Sequence, residues 1–147
     1  MTDNRISRLT IIDTAGQERF RSHNLPCFKK ADSCLLVYDI TSRESFNDCK
    51  DYYIPRIKEL CKSNIKVILL GNKSDLEEER KVSKEEGKEL AISNNYLFFE
   101  ISCKDNYNVL EAFENLVEIC DKDNIQKIDN NIVLDKKIFT KKRKKCC

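Results

Sequence analysis

The sequence predicts an α/β fold, a mostly parallel sheet with helices on both faces. Two observations carry that expectation. Apolar runs of strand length at 33–39, 66–71 and 96–101 alternate with stretches of helical periodicity. Those runs are apolar at nearly every position rather than at every second one, the mark of strands buried on both sides. The length, 147 residues, suits one domain and is enough to enclose a core.

Taken in order, residues 8–12 read as a first strand through Leu9, Ile11 and Ile12. A polar stretch with a short helix follows from 17 to about 30, made irregular by Pro26. The strand at 33–39 leads to an amphipathic helix over 44–62, because Phe46, Cys49, Tyr53, Ile57, Leu60 and Cys61 recur at helical spacing. Pro55 lies inside that helix and predicts a kink. After the strand at 66–71, Ser83-Lys84-Glu85-Glu86 fits a capping box and starts a helix to about Ser93. The strand at 96–101 comes next. Val109, Phe113, Leu116, Val117 and Cys120 then mark a last amphipathic helix. Tyr52 and Tyr53 read as helix packing, and His23 as a solvent-facing side chain.

Charge is high and nearly balanced, with 27 basic and 25 acidic residues. The ends differ from the body, since residues 121–147 carry 9 basic and 4 acidic side chains. There the apolar periodicity fades, and Lys141-Lys142-Arg143-Lys144-Lys145 precedes Cys146-Cys147. A domain over 1–121 followed by a flexible basic tail over 122–147 is the expected organisation. An anionic membrane surface suits that tail better than a nucleic acid. No export signal and no apolar stretch of spanning length is present. The eight cysteines include no C-x-x-C pair, so the six within the body are expected to be reduced, mostly buried thiols.

Three polar motifs follow three of the expected strands, at the carboxyl ends where an open parallel sheet binds ligands. They are Asp13-Thr14-Ala15-Gly16-Gln17, Asn72-Lys73-Ser74-Asp75 and Ser102-Cys103-Lys104. A polar turn would explain any one of them, and three at strand ends in this order is a stronger signal. The carboxylate of Asp75 can accept two parallel hydrogen bonds from the N1–H and N2–H₂ edge of guanine, a donor pair that adenine lacks. The Lys73 stem can lie along a base plane, and the Asn72 amide can tie loops together. Ser102-Cys103-Lys104 can bring a backbone N–H to the base oxygen. On the phosphate side, Asp13 can hold a magnesium ion through water and Gly16 can approach a terminal phosphate.

These motifs resemble the small GTPases of the Ras superfamily, and the Rab branch in particular. Asp13 to Glu18 continues as Arg19-Phe20-Arg21-Ser22, similar to the Rab switch II, and Tyr38-Asp39-Ile40-Thr41 with Glu44-Ser45-Phe46 matches the next Rab segment. The resemblance runs from about Ile6 to Cys120 and includes the terminal cysteine pair. It implies a Ras-like P-loop NTPase fold and a GTP-binding, GTP-hydrolysing switch in vesicle and membrane trafficking. GTP or GDP and Mg²⁺ would be its cofactors. It further implies that Gln17 orients the attacking water, with Asp13, Thr14, Ala15 and Gly16 on the phosphate side and Asn72, Lys73, Asp75, Ser102, Cys103 and Lys104 around guanine. Cys146 and Cys147 would be prenylated, and the protein would work on the cytoplasmic face of an intracellular membrane with Rab-type regulators, escort protein and effectors. Ile12 departs from the usual tryptophan of the family, and Cys103 from the usual alanine.

No G-x-x-x-x-G-K-[ST] occurs in the sequence. Relative to the resemblance, the first two strands, the first helix, the phosphate loop and switch I are missing. Charged hydrogen bonds are worth roughly 1.5–3 kcal/mol each. Three or four fewer of them at the phosphates correspond to roughly four to seven decades of affinity. The expectations are therefore weak nucleotide holding by this chain alone and two sheet edges left without a partner. The alternative reading is a nucleotide-independent, membrane-anchored interaction module or an inactive fragment.

Overall fold

The computed structural model describes residues 8–14 and 25–124, with backbone alone at 25–27 and 122–124. Three parallel strands, β1 (Ser33–Asp39), β2 (Lys66–Asn72) and β3 (Leu97–Glu100), form a sheet in the order β1-β2-β3. The register pairs Ser33 with Lys66 through to Asp39 with Asn72, and Ile68 with Leu97 through to Gly71 with Glu100. All three strands therefore end at one rim of the sheet. Helix α1 (Leu25–Lys30) precedes β1, and α2 (Arg43–Asp48) and α3 (Ile54–Leu60) follow it. Helix α4 (Lys84–Ser93) links β2 to β3, and α5 (Val109–Asn124) comes last.

Alternation along the strands builds two cores. Leu36, Tyr38, Val67 and Leu69 point to one face and pack with Phe46, Cys49, Ile54, Ile57, Val82 and Ala91. Ile68 and Leu70 point to the other face and meet Ala112 and Leu116 of α5. This is the two-faced parallel sheet that the apolar runs predict, and it is consistent with part of a Ras-like domain.

The expected helix over 44–62 spans α2 and α3 with a π-helical turn, Cys49–Tyr53, between them. There the Ile54 N–H reaches back five residues to the Cys49 carbonyl instead of four. Pro55 has no N–H to donate, and its ring would press on the Asp51 carbonyl in regular α geometry. The widened turn immediately before Pro55 accommodates it. The capping box forms as expected: the Glu86 N–H donates to Ser83 Oγ (3.2 Å) and the Ser83 N–H to Glu86 Oε2 (2.9 Å). Helix α5 continues past the expected domain boundary, to Asn124.

The strand expected at 8–12 is not formed. Leu9, Ile11 and Ile12 are exposed, at 36%, 64% and 59%. A strand needs a ladder for its backbone and a face to bury, and no described strand pairs with this run. Cys34, Cys49, Cys61, Cys103 and Cys120 are free thiols. They are not mostly buried as expected: Cys49 alone of these is fully buried, Cys34, Cys61 and Cys120 are half-buried, and Cys103 is exposed. Burial pushes Cys34 and Cys49 up to about 12, so both stay protonated.

Candidate functional site

At the rim where the strands end, the loops after β2 and β3 are tied to each other and to the end of β1. Parallel pairing sets Asp39 opposite Asn72, and the Ile40 N–H donates to the Asn72 carbonyl (3.0 Å). The Ser74 N–H donates to the Ile101 carbonyl (3.1 Å), which draws the two loops together. Asn72 Oδ1 accepts from the Lys73 N–H (2.8 Å) and from the Cys103 N–H (3.3 Å). The sequence assigns Asn72 the task of tying loops through its side-chain amide, and the oxygen of that amide does so.

Asp75 is almost enclosed, with its side chain 7% exposed. Its Oδ1 accepts from Ser102 Oγ (2.6 Å), and Lys104 Nζ lies 3.5 Å from Oδ2. Ser102 is itself buried, and its Oγ accepts from the Asp105 N–H (3.1 Å). The bond from Ser102, with Lys104 nearby, holds the Asp75 carboxyl below the usual carboxylate range despite its enclosure. An ionised carboxylate with fixed orientation results, the form that accepts a pair of N–H donors. Ser74, Asp75, Ser102, Asp105, Asn106 and Tyr107 line an open depression of about 460 Å³ beside it.

Lys73 has a left-handed backbone, with φ at 66°. Its Nζ lies 2.6 Å from Asp39 Oδ2, an ion pair that raises the lysine above its ordinary value. Burial alone would raise the Asp39 carboxyl, but bonds from Lys73 and from Thr41 outweigh it and hold that carboxyl low. Asp39 has no assigned role in the sequence reading. The signal was available, since it is a further polar residue closing a buried strand, as the assigned motifs do.

Six of the expected guanine-side residues thus come together: Asn72, Lys73, Asp75, Ser102, Cys103 and Lys104. Asp13 and Thr14 fall in the exposed, irregular run at 8–14, with no described hydrogen bond to these loops. Ala15, Gly16, Gln17, His23, Cys146 and Cys147 lie outside the described residues. Among the described residues no group of three His, Cys, Asp or Glu side chains gathers as a metal site. No described helix is long and apolar enough to cross a membrane.

Comparison with known proteins gives a consistent result. The Ras family model matches residues 1–122. Human Ras-related protein Rab-3A is 48% identical over 121 residues, covering 82% of this chain and 54% of the relative. Rat GTP-binding protein Rab-3D is 49% identical over 123 residues, covering 83% and 55%. Bovine Ras-related protein Rab-3C is 47% identical over 116 residues, covering 78% and 51%. The chain spans about half the length of the curated relatives it matches.

Proposed function

The chain belongs to the Ras family, with Rab-type relatives, and we propose on that premise that it carries the guanine-recognition side of a Rab-like GTP-binding switch in membrane trafficking. The observation that supports this most directly is the interlocked pair of loops at the strand ends. The Asp75 carboxylate, fixed by Ser102 and flanked by Lys104, is an acceptor suited to the N1–H and N2–H₂ edge of guanine. The Asn72 side chain joins the two loops through Lys73 and Cys103. In this reading Asn72, Lys73, Asp75, Ser102, Cys103 and Lys104 hold the base of GTP or GDP.

On the phosphate side, Asp13 would hold Mg²⁺ through water, and Thr14, Ala15 and Gly16 would border the phosphates. The metal would neutralise phosphate charge, while Gln17 would orient the attacking water for GTP hydrolysis. Cys146 and Cys147 would carry prenyl groups. Two chains anchor stably where one binds reversibly, and the basic run before them would favour anionic lipid. Rab-type regulators, an escort protein and effectors would be the protein partners, at the cytoplasmic face of an intracellular membrane.

Base selection tests the reading. Calorimetric titration of the full chain with GDP and with ADP is expected to show binding of GDP only. Asp75→Asn is expected to lower the GDP affinity by a hundredfold or more, on the scale of a charged hydrogen-bond pair (about 3 kcal/mol). Equal binding of GDP and ADP would overturn it.

A further inference from the structure

We propose that Asp39 is a positioning residue for guanine recognition, holding the Lys73 side chain as a preset wall of the base site. This rests on the reading of the base loops given above. Lys73 is held at two points. Its N–H donates to Asn72 Oδ1 (2.8 Å), and its carbonyl accepts from the Leu76 N–H (2.9 Å). These bonds support a left-handed backbone, φ 66°, that a residue with a Cβ adopts only at a cost. At the far end of the side chain, Nζ meets Asp39 Oδ2 at 2.6 Å.

The anchor is itself fixed. Asp39 Oδ1 accepts from the Thr41 N–H (2.8 Å) and from Thr41 Oγ1 (2.7 Å), which sets the plane of the carboxylate. The Asp39 N–H donates to Ser45 Oγ (3.0 Å), and the register of β1 on β2 places Asp39 beside Asn72. The chain of support therefore runs from Thr41 and Ser45 through Asp39 to Lys73. The Lys73 side chain is 51% exposed, so a flat ligand can reach it, while Asp39 is more enclosed at 21%. An untethered lysine loses rotamer freedom when a base settles on it, and one tethered beforehand has already given that freedom up.

Asp39→Asn isolates this role, because the remaining carbonyl oxygen can still accept from Thr41 while the charge facing Lys73 is gone. The ¹⁵N-labelled full chain is titrated with guanosine monophosphate and with adenosine monophosphate, and amide shifts are followed. The guanosine monophosphate Kd is expected to rise about tenfold in Asp39→Asn, the scale of one ordered lysine side chain. Asp39→Glu is expected to recover part of the loss. In a Lys73→Met background Asp39→Asn is expected to add nothing, an outcome that a merely structural role for Asp39 does not produce. Wild-type affinity in Asp39→Asn would overturn the proposal and leave the base-loop reading intact. No preference for guanosine over adenosine monophosphate in the wild-type chain would overturn both. If Asp39→Asn loses its dispersed amide spectrum, Asp39→Ser takes its place: a tenfold loss that vanishes in the Lys73→Met background supports the proposal, and wild-type affinity overturns it.

Discussion

Tyr38 is 1% exposed, and its buried hydroxyl has no hydrogen-bond partner among the described residues. The ring is well used, packing edge-on against Phe46 at 5.1 Å. Burial, with Glu100 nearby, pushes the phenol above its ordinary value, so it stays protonated and stays an unsatisfied donor. An unsatisfied buried hydroxyl costs about 1–3 kcal/mol. Tyr38→Phe is therefore expected to stabilise the protein by about 1 kcal/mol in chemical denaturation. The same hydroxyl explains two glycines. A Cβ at Gly71 would lie 2.9 Å from Tyr38 Oη. A Cβ at Gly87 would lie 2.7 Å from the Phe98 ring and closer still to Tyr38 Oη. Alanine ordinarily favours a helix over glycine, by about 1 kcal/mol. Here the overlap dominates, and Gly87→Ala is expected to destabilise by about 1–3 kcal/mol. A stabilised Gly87→Ala would show that α4 can move off the sheet.

At the scale of elements, the first turn of α4 joins α2 through one carboxylate. Glu86 accepts from the Ser83 N–H in the capping box and also from Arg43, at 2.5 Å for Nη1 to Oε1 and 3.0 Å for Nη2 to Oε2. Arg43 also donates to the Lys81 carbonyl, and its guanidinium lies over the Phe46 ring at 5.6 Å. Arg43, then the Ser83 N–H, lower the Glu86 carboxyl to about 2, from an ordinary 4.5. The folded value is below the unfolded one, so the stabilisation is complete above about pH 4.5 and is lost as pH falls towards 2. Glu86→Gln keeps a capping side chain but removes the charge facing exposed Arg43, and is expected to lower Tm at pH 7 by about 3 °C or less. The gap to wild type should close as the pH is taken to 2, and a constant gap would mean that ionisation of Glu86 contributes nothing. The box itself was legible in the sequence, because Ser83 and Glu86 are three residues apart and the bond pattern is local. Arg43 was not, since nothing in the sequence pairs it with a carboxylate 43 positions away. The π turn before Pro55 escaped for a related reason: proline announces a disturbance but not which of several geometries relieves it. The run 8–12 has strand composition, yet composition states only that a strand would suit it. The missing ladder is a tertiary fact. The loops after β2 and β3 were legible as polar motifs closing buried strands, whereas the pairing of Asp39 with Lys73 shows only in the register and the ion pair.

For the whole molecule, the decisive feature is the sheet. Its order puts β1 at an edge, with β2 as the one described strand beside it. Val37, midway along β1, is 47% exposed, although neighbouring Leu36 and Tyr38 on the opposite face are buried. The second core is accordingly smaller, resting on Ile68, Leu70, Ile101, Ala112 and Leu116 under a single helix. Ile11 and Ile12 add exposed apolar surface outside any described strand. A three-stranded sheet with one well-covered face and one partly covered face falls near the lower limit for independent stability. The urea unfolding free energy is expected below about 5 kcal/mol, the low end for native domains. With a slope of about 1–3 kcal/mol per molar, the midpoint falls below about 2–5 M, depending on the slope. An edge that no described strand covers, with Val37 exposed, also invites pairing between molecules. Sedimentation velocity is therefore expected to show association that rises with protein concentration, and Val37→Lys should reduce it by placing a charge beside that edge. A monomer that melts cooperatively above 5 M urea, with no concentration dependence, would mean that the uncovered half of the sheet costs the fold nothing.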